Sequence, residues 1–360
     1  QHLFDIGRAY RCYETQEELS LKRKAQLMSG NPPVYDRQGL SLVDNDHQKF
    51  QKEGRLPHWR FKLIHEEVSW VDMVRGNCTY DMKSLSDPVI MREDGRPIYT
   101  LASVVDDIDH NISHIIRGED HVTNSAAQIQ LFKALGGKVP ELGHLSLLAG
   151  SEGEGLSKRL GSLNLGELKQ EGFESITLSS LLAKIGTSDP MKVFINTDEL
   201  IKDFDLSKFS RNTAKFDSND LYIMNKKSIQ FMEFKEAKSR LTEIGLDINE
   251  EFWRTISGNL NKLNEARIWW DVVYGEIDPI IDNSNLIEKA IEFFPENNLD
   301  NTSWGSWCKS ISGNTDYKGR DLFISLRKAI TGFEYGPELS NLLPLIGKDK
   351  ILSRMSGKKS

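Results

Sequence analysis

The stretch between Tyr99 and Arg159 constrains the fold more than any other, because its hydrophobic period switches repeatedly over a short span. Leu101, Val104, Val105 and Ile108 fall at i, i+3, i+4 and i+7, one face of a short helix. His114-Ile115-Ile116 is a brief β-branched run that reads as a buried strand. Thr123 then opens a helix with Ala127, Leu131 and Leu135 at i, i+4 and i+8, stopped by Gly136-Gly137. Pro140 precedes Leu142 to Leu148, the next expected buried strand. In an open α/β sheet, ligands bind in the crevice beyond the carboxyl ends of the strands. The first expected strand ends in Arg117-Gly118-Glu119-Asp120, so this cluster stands where a small polar ligand would be gripped.

On either side the organisation changes. Thr15 caps a helix with Glu17 and Glu18 in its first turn, and Gly30 ends it before Pro32-Pro33. Trp59 to Leu63, Val68 to Val71 and Val89 to Met91 read as strands of a small mixed α+β insertion, followed by a turn at Asp94-Gly95-Arg96-Pro97. Beyond the central stretch, Leu165 to Gly172 and Leu178 to Ile185 are expected to be helical, and from about residue 195 the chain is almost wholly so. Phe252, Ile256, Leu260 and Leu263 step at helical spacing, with Trp270 and Tyr274 extending the pattern after a bend. Further helices are expected at Leu286 to Phe294, Leu322 to Ile330 and Leu339 to Met355, the last divided at Pro344. With 38% hydrophobic and 28% charged residues, the 360-residue chain can build real cores in two or three domains.

Each polar motif has a plain structural reading beside the functional one. Arg117-Gly118-Glu119-Asp120 fits a charged turn, and Leu156-Ser157-Lys158-Arg159 fits a solvated basic loop. His110, His114, His121 and His144 match no zinc spacing and read as helix-end and sheet-edge residues. Asp106 and Asp107 are adjacent on a helix and do not face each other. Trp269-Trp270 reads as core, and Trp304 to Trp307 as packing at a helix corner. Three scattered cysteines argue for a reducing compartment, no run is long enough to span a membrane, and the expected address is cytoplasmic. A net charge of −7 does not point to nucleic acid, although binding depends on local basic surfaces and not on the sum.

Taken in order, these segments resemble a bacterial glutamyl-tRNA synthetase of class I. The resemblance runs through Gly7 to Tyr13, Thr15 to Leu19, Pro32 to Asp36, Val104 to Asp107, His114 to His121 and Leu326 to Gly332. Gly155-Leu156-Ser157-Lys158-Arg159 resembles the KMSKS signature, with glycine where the first lysine usually stands and Lys158 in the position of the second. No His-x-Gly-His is present for the HIGH signature. By the resemblance Gln1 corresponds to a point inside the family's chain, so the sequence reads as a fragment expected to show no ATP–pyrophosphate exchange alone. Some members bind zinc through a Cys-x-Cys pair; Cys12-Tyr13-Glu14 retains one thiolate, so no zinc and no protein-held metal is expected.

The resemblance implies an α/β fold, the second half of a class I Rossmann-type catalytic domain with an α+β insertion, followed by an all-α anticodon-binding region. Residues 1–96 would be the insertion that holds the tRNA acceptor arm, with a remnant of the first Rossmann half. Residues 97–153 would form the second Rossmann half, 154–234 the KMSKS loop and stem-contact region, and 235–360 the helical anticodon-binding region. It implies ATP-dependent activation of glutamate to glutamyl-adenylate, with magnesium carried on ATP, and transfer to the 3′ end of tRNA(Glu). Arg117 would fork onto the substrate carboxylate beside Tyr99 and Ser103, with Glu119 and Asp120 lining the pocket. Gly155, Leu156, Ser157, Lys158 and Arg159 would hold ATP, Lys158 being the catalytic member. Asn259 falls near a position that helps reject tRNA(Gln), so tRNA(Gln) is a second candidate partner. The expected protein is a monomer with no membrane partner. The rivals are a tRNA-binding fragment without catalysis, a glutaminyl-tRNA synthetase and a short tRNA-modifying paralogue. The helical pattern from Asp247 to Tyr274 opposes the glutaminyl family, and the long C-terminal part opposes the paralogue.

Overall fold

A computed structural model describes residues 1–150, 153 and 164–360. The chain divides into two compact units. One is Gln1–Gly155 with Gly186–Asp189 and Asp205–Lys215; the other is Leu156–Ile185 with Pro190–Phe204 and Phe216–Ser360. The first carries the sheets and the second is helical, which is the α/β-then-α class expected.

The first unit holds nine strands among its described residues: β1 Ala9–Cys12, β2 His58–Phe61, β3 Glu67–Asp72, β4 Gly76–Asp81, β5 Val89–Met91, β6 His114–Gly118, β7 Glu141–Leu145, β8 Leu148–Ala149 and β9 Ala214–Lys215. An antiparallel sheet has the order β1-β2-β5, and a short parallel pair joins β8 to β9. The central sheet has the order β4-β3-β7-β6, with β7 parallel to both neighbours and β4 antiparallel to β3. The strand at Val68 to Val71, expected within an insertion, is therefore hydrogen-bonded into the same sheet as the central stretch.

Local signals set several boundaries. The helix Gln16–Met28 starts at a capping box, in which Thr15 accepts from the Glu18 N–H and the Glu18 carboxylate accepts from the Thr15 N–H. The helix Tyr99–Asp109 buries Val104 and packs Leu101 and Ile108 at the margin of the core. One expectation fails at β6. A buried strand is expected there, but among the described residues β6 lies at the edge of its sheet, and His114 and Ile116 are exposed. Three β-branched or aromatic neighbours mark a strand without saying how many of its sides are covered. The buried strand of the pair is β7, where Leu142, Gly143 and His144 are shielded.

The helical unit has one large core, including Phe252, Ile256, Leu260, Trp307, Leu326 and Leu342. Phe252 to Leu263 does not form one continuous helix. Glu250–Ile256 passes into a tighter turn at Ser257–Asn259, Leu260 is extended, and a second turn at Leu263–Glu265 enters the helix Ala266–Val273. The four apolar side chains are all buried nonetheless. Pro344 does not divide its helix either. It sits inside Leu339–Ile346, and the break comes at Gly347, before Lys348–Met355. A proline near a helix C-terminus removes only one ladder bond there, whereas Gly347 adopts φ 84° and turns the chain. Trp304 and Trp307 lie in the first turns of the helix Ser303–Asn314 and not at a corner. Gly336 is required by space: it has φ +151°, and a Cβ there would lie 2.0 Å from the Trp269 ring. Among the described residues, no helix is long and apolar enough to cross a membrane.

Candidate functional site

Three parallel strands deliver polar residues at their carboxyl ends. Asp72 is the last residue of β3, and Arg117 and His144 are cross-strand partners near the ends of β6 and β7. Two helices complete the cluster: Tyr99–Asp109 supplies Tyr99 and Ser103, and Val122–Ala134 supplies Ser125 and Gln128. This is where a parallel sheet offers a ligand crevice.

Arg117 is the hub. Its Nη2 donates to Ser125 Oγ at 2.6 Å and Gln128 Oε1 at 2.6 Å, its Nη1 to the Tyr99 hydroxyl at 3.1 Å, and its Nε to His144 Nε2 at 3.4 Å. Gln128 passes the network on, its amide donating to Ser103 Oγ at 2.9 Å, while Ser103 donates to the Tyr99 carbonyl at 2.7 Å. Both Nη2 hydrogens and Nε thus face protein acceptors, and Nη1 is the nitrogen left to meet a ligand. The two-nitrogen fork expected for Arg117 is not available in this arrangement. Every acceptor it meets is neutral, and among the described residues no carboxylate lies within ion-pair distance of it. A guanidinium held half-buried among neutral groups favours an incoming anion.

Behind Arg117 lies a buried relay. His144 is 0% exposed and Asp72 2%. Asp72 Oδ2 lies 2.5 Å from His144 Nδ1, and its Oδ1 accepts from the backbone N–H groups of Val74, Arg75 and His144. Burial pushes the Asp72 carboxyl up, but these hydrogen bonds outweigh it and hold the group below its ordinary range. Burial lowers His144, and the Arg117 and Arg75 charges add to that against the opposing pull of Asp72, so the ring is held neutral. Against the expectation of a helix-end or sheet-edge residue, His144 is the most buried histidine of the four, on an interior strand.

The remaining expected residues fall as follows. Glu119 is already engaged: Arg75 Nη1 donates to its Oε2 at 2.7 Å. Asp120 is exposed, with its carboxylate 3.8 Å from the His121 ring, which in turn packs edge-on against Tyr99. Asn259 is exposed at the end of a short turn in the helical unit. Gly155, Leu156, Ser157, Lys158 and Arg159 lie outside the described residues. The sequence reading missed Asp72, Ser125 and Gln128. The only signals for them were a lone aspartate after an apolar run and polar residues on an otherwise apolar helix face.

Ser125, His144 and Asp72 have the contacts of a hydrolase triad, since Ser125 Oγ lies 2.8 Å from His144 Nε2. A nucleophile, however, must reach a substrate carbonyl. Ser125 is 1% exposed, and the Arg117 guanidinium covers its oxygen. The group therefore positions Arg117 and does not attack.

A second cluster lies elsewhere in this unit. Donor atoms of Cys12, Glu14 and His58 lie within 4.8 Å of one another, the set a zinc ion would use. Positive charge already fills the neighbourhood. The Lys22 ammonium lies 3.7 Å from Glu14, and the Arg60 guanidinium faces both Cys12 and His58. The Tyr35 hydroxyl bonds Glu14 at 2.7 Å and contacts Cys12 Sγ at 3.4 Å. Burial pushes the Cys12 thiol up to about 11, against the lowering effect of the Tyr35 and Arg60 contacts. Cys12 and Glu14 are tied through the Tyr35 hydroxyl, whereas the buried His58 Nε2 has no hydrogen-bond partner among the described residues.

Comparison with known proteins is consistent across the chain. Residues 1–223 match the family described as tRNA synthetases class I (E and Q), catalytic domain, and residues 281–357 match an anticodon binding domain. A glutamate–tRNA ligase of Maricaulis maris is 46% identical over 352 residues, which covers 98% of this chain and 79% of that protein. One of Hyphomonas neptunium is 47% identical over 352 residues, covering 96% and 79%. The crystal structure of a glutamate tRNA ligase from Elizabethkingia meningosepticum in complex with its amino acid superposes with a TM-score of 0.77. It is 22% identical and covers 98% of this chain and 80% of that one, a likeness of fold.

Proposed function

Because this chain belongs to the class I tRNA synthetases of the glutamate and glutamine group, and within them to the glutamate–tRNA ligases, we propose that Arg117 and Tyr99 bind the glutamate it activates. The enzyme activates glutamate with ATP and transfers it to tRNA. A carboxylate oxygen of glutamate attacks the α-phosphorus of ATP, pyrophosphate leaves, and glutamyl-adenylate forms. A ribose hydroxyl at the tRNA 3′ end then attacks the acyl carbon and releases AMP. Neither step needs a protein nucleophile, and both gain from positioning and charge stabilisation.

The observation that carries the reading is the half-buried Arg117 guanidinium, fixed on three sides by neutral acceptors with Nη1 turned to the Tyr99 hydroxyl. A carboxylate accepting from Nη1 and from the Tyr99 hydroxyl would add a contact ion pair to the longer-range pull that Asp107 exerts on the guanidinium. Ser103 supports that pair through Gln128, and Glu119, held by Arg75, shapes the neighbouring wall. The exposed Asp120 would meet the amino group or the nucleotide. Lys158, with Gly155, Leu156, Ser157 and Arg159, would neutralise the triphosphate as pyrophosphate departs, with magnesium arriving on ATP. Residues 1–96 would hold the acceptor arm, 97–153 the substrates, 154–234 the signature loop and stem contacts, and 235–360 the anticodon arm.

In the enzyme, Lys158→Ala is expected to lower the rate of glutamate activation at least about tenfold, roughly 1.4 kcal/mol of transition-state stabilisation. ATP–pyrophosphate exchange in the presence of glutamate and tRNA measures it, and an unchanged rate removes Lys158 from the mechanism. Asn259 in place of a rejecting arginine favours charging of tRNA(Gln) as well as tRNA(Glu). Charging of the two purified tRNAs reads this directly, and strict rejection of tRNA(Gln) refutes it.

A further inference from the structure

We propose that His144, locked in one tautomer by Asp72, is a positioning residue for glutamate recognition: it sets the guanidinium of Arg117 without touching the substrate. The inference rests on the reading of Arg117 as the group that binds the glutamate carboxylate.

The contact of Nδ1 with the Asp72 carboxylate decides the assignment. Arg117 Nε can only donate, so His144 Nε2 must accept from it. The Nδ1 of a neutral ring then carries the proton, and it faces Asp72 Oδ2, which as a carboxylate can only accept. Nε2 has one acceptor lone pair, shared between Arg117 Nε at 3.4 Å and the Ser125 hydroxyl at 2.8 Å; Ser125 receives a hydrogen from Arg117 Nη2 and gives its own to Nε2 or to the His121 carbonyl at 3.3 Å. Asp72 therefore selects the tautomer, the tautomer makes Nε2 an acceptor, and Nε2 with Ser125 draws in the inner edge of the guanidinium. With Gln128 holding the second Nη2 hydrogen, Nη1 alone faces outward. All three relay residues are essentially excluded from solvent, so no water can substitute for a lost acceptor without opening the core.

The opposite tautomer would turn a donor toward a cation. Asp72→Asn produces it selectively. The amide oxygen can keep the three backbone N–H bonds made by Oδ1, while the amide nitrogen donates to Nδ1 and forces the proton onto Nε2. The weak contact from Trp70 Nε1 at 3.3 Å is the one other bond disturbed.

The test compares Asp72→Asn, His144→Leu, His144→Gln and Arg117→Ala in the enzyme, measuring KM for glutamate and for ATP separately. Asp72→Asn and His144→Leu are expected to raise the glutamate KM at least about tenfold with the ATP KM within about twofold of the parent. His144→Gln, whose amide oxygen can stand near the Nε2 position, is expected to recover part of the loss. An unchanged glutamate KM in Asp72→Asn and His144→Leu overturns the inference if Arg117→Ala raises it. So does an equal loss toward both substrates, or a glutamine variant no better than leucine, because either marks a merely structural role. If Arg117→Ala itself leaves the glutamate KM unchanged, the reading of Arg117 fails, and the inference with it.

Discussion

Arg117→Ala is expected to reduce kcat/KM for glutamate by two to three orders of magnitude, a loss of about 3–4 kcal/mol. The size follows from what the side chain leaves behind. Truncation removes the positive charge opposite the substrate carboxylate. It also strands the inward acceptors Ser125, Gln128 and His144, the first two less than 5% exposed and the last fully buried. Arg117→Lys is expected to recover little of the loss. A lysine has no planar fork and cannot satisfy His144, Ser125 and Gln128 while presenting a nitrogen to Tyr99. Exchange assays at varied glutamate and saturating ATP measure the effect. A loss smaller than about threefold in Arg117→Ala would remove Arg117 from glutamate binding.

Why Arg117 could be singled out from sequence while its supports could not is a matter of period and burial. Arg117 follows a β-branched run and precedes a helix, so the chain-level pattern alone placed it at the carboxyl end of a strand. Asp72, Ser125, Gln128 and His144 come from distant segments whose local patterns carry other messages. Ser125 and Gln128 lie on a helix whose buried face also holds Ala126, Ile129 and Phe132, and a polar residue there looks like an exposed one. His144 sits between Gly143 and Leu145, with nothing local to tell an interior strand from an edge. That distinction depends on which strands pair, and β3 pairs with β7 across about seventy residues of chain. β4 went unread for a related reason. Gly76-Asn77-Cys78-Thr79-Tyr80-Asp81 has almost no apolar alternation, and its partner β3 stabilises it through pairs such as Trp70 with Cys78 and a stacked Trp70–Tyr80 contact. The capping box at Thr15 and the glycine stop after Leu135 were legible because their physics is confined to one turn.

Trp307→Ala is expected to destabilise the helical unit by about 4 kcal/mol, whereas Trp304→Ala, three residues earlier on the same helix, is expected to cost about half as much or less. Trp307 is 1% exposed, packs edge-on against Phe294 at 4.9 Å, and donates from Nε1 to the Ala290 carbonyl at 2.9 Å. Its removal opens a cavity lined by several helices and leaves that carbonyl without its partner. Trp304 is only half-buried, and its place beside Phe323 can collapse or fill with water. Trp307→Phe separates the two terms, since it keeps most of the ring packing and loses the hydrogen bond, for an expected loss of about 1–2 kcal/mol. Urea unfolding followed by far-ultraviolet circular dichroism reads the order. With two compact units the curve need not be a single transition, so the comparison is made on the component that carries most of the helical signal. At a slope of about 2 kcal/mol per molar, the Trp307→Ala midpoint should fall by roughly 2 M. Equal shifts for Trp304→Ala and Trp307→Ala would contradict the central place of Trp307 in this core. They would also mean that the fused bicyclic ring, and not its enclosure, is what the helices require.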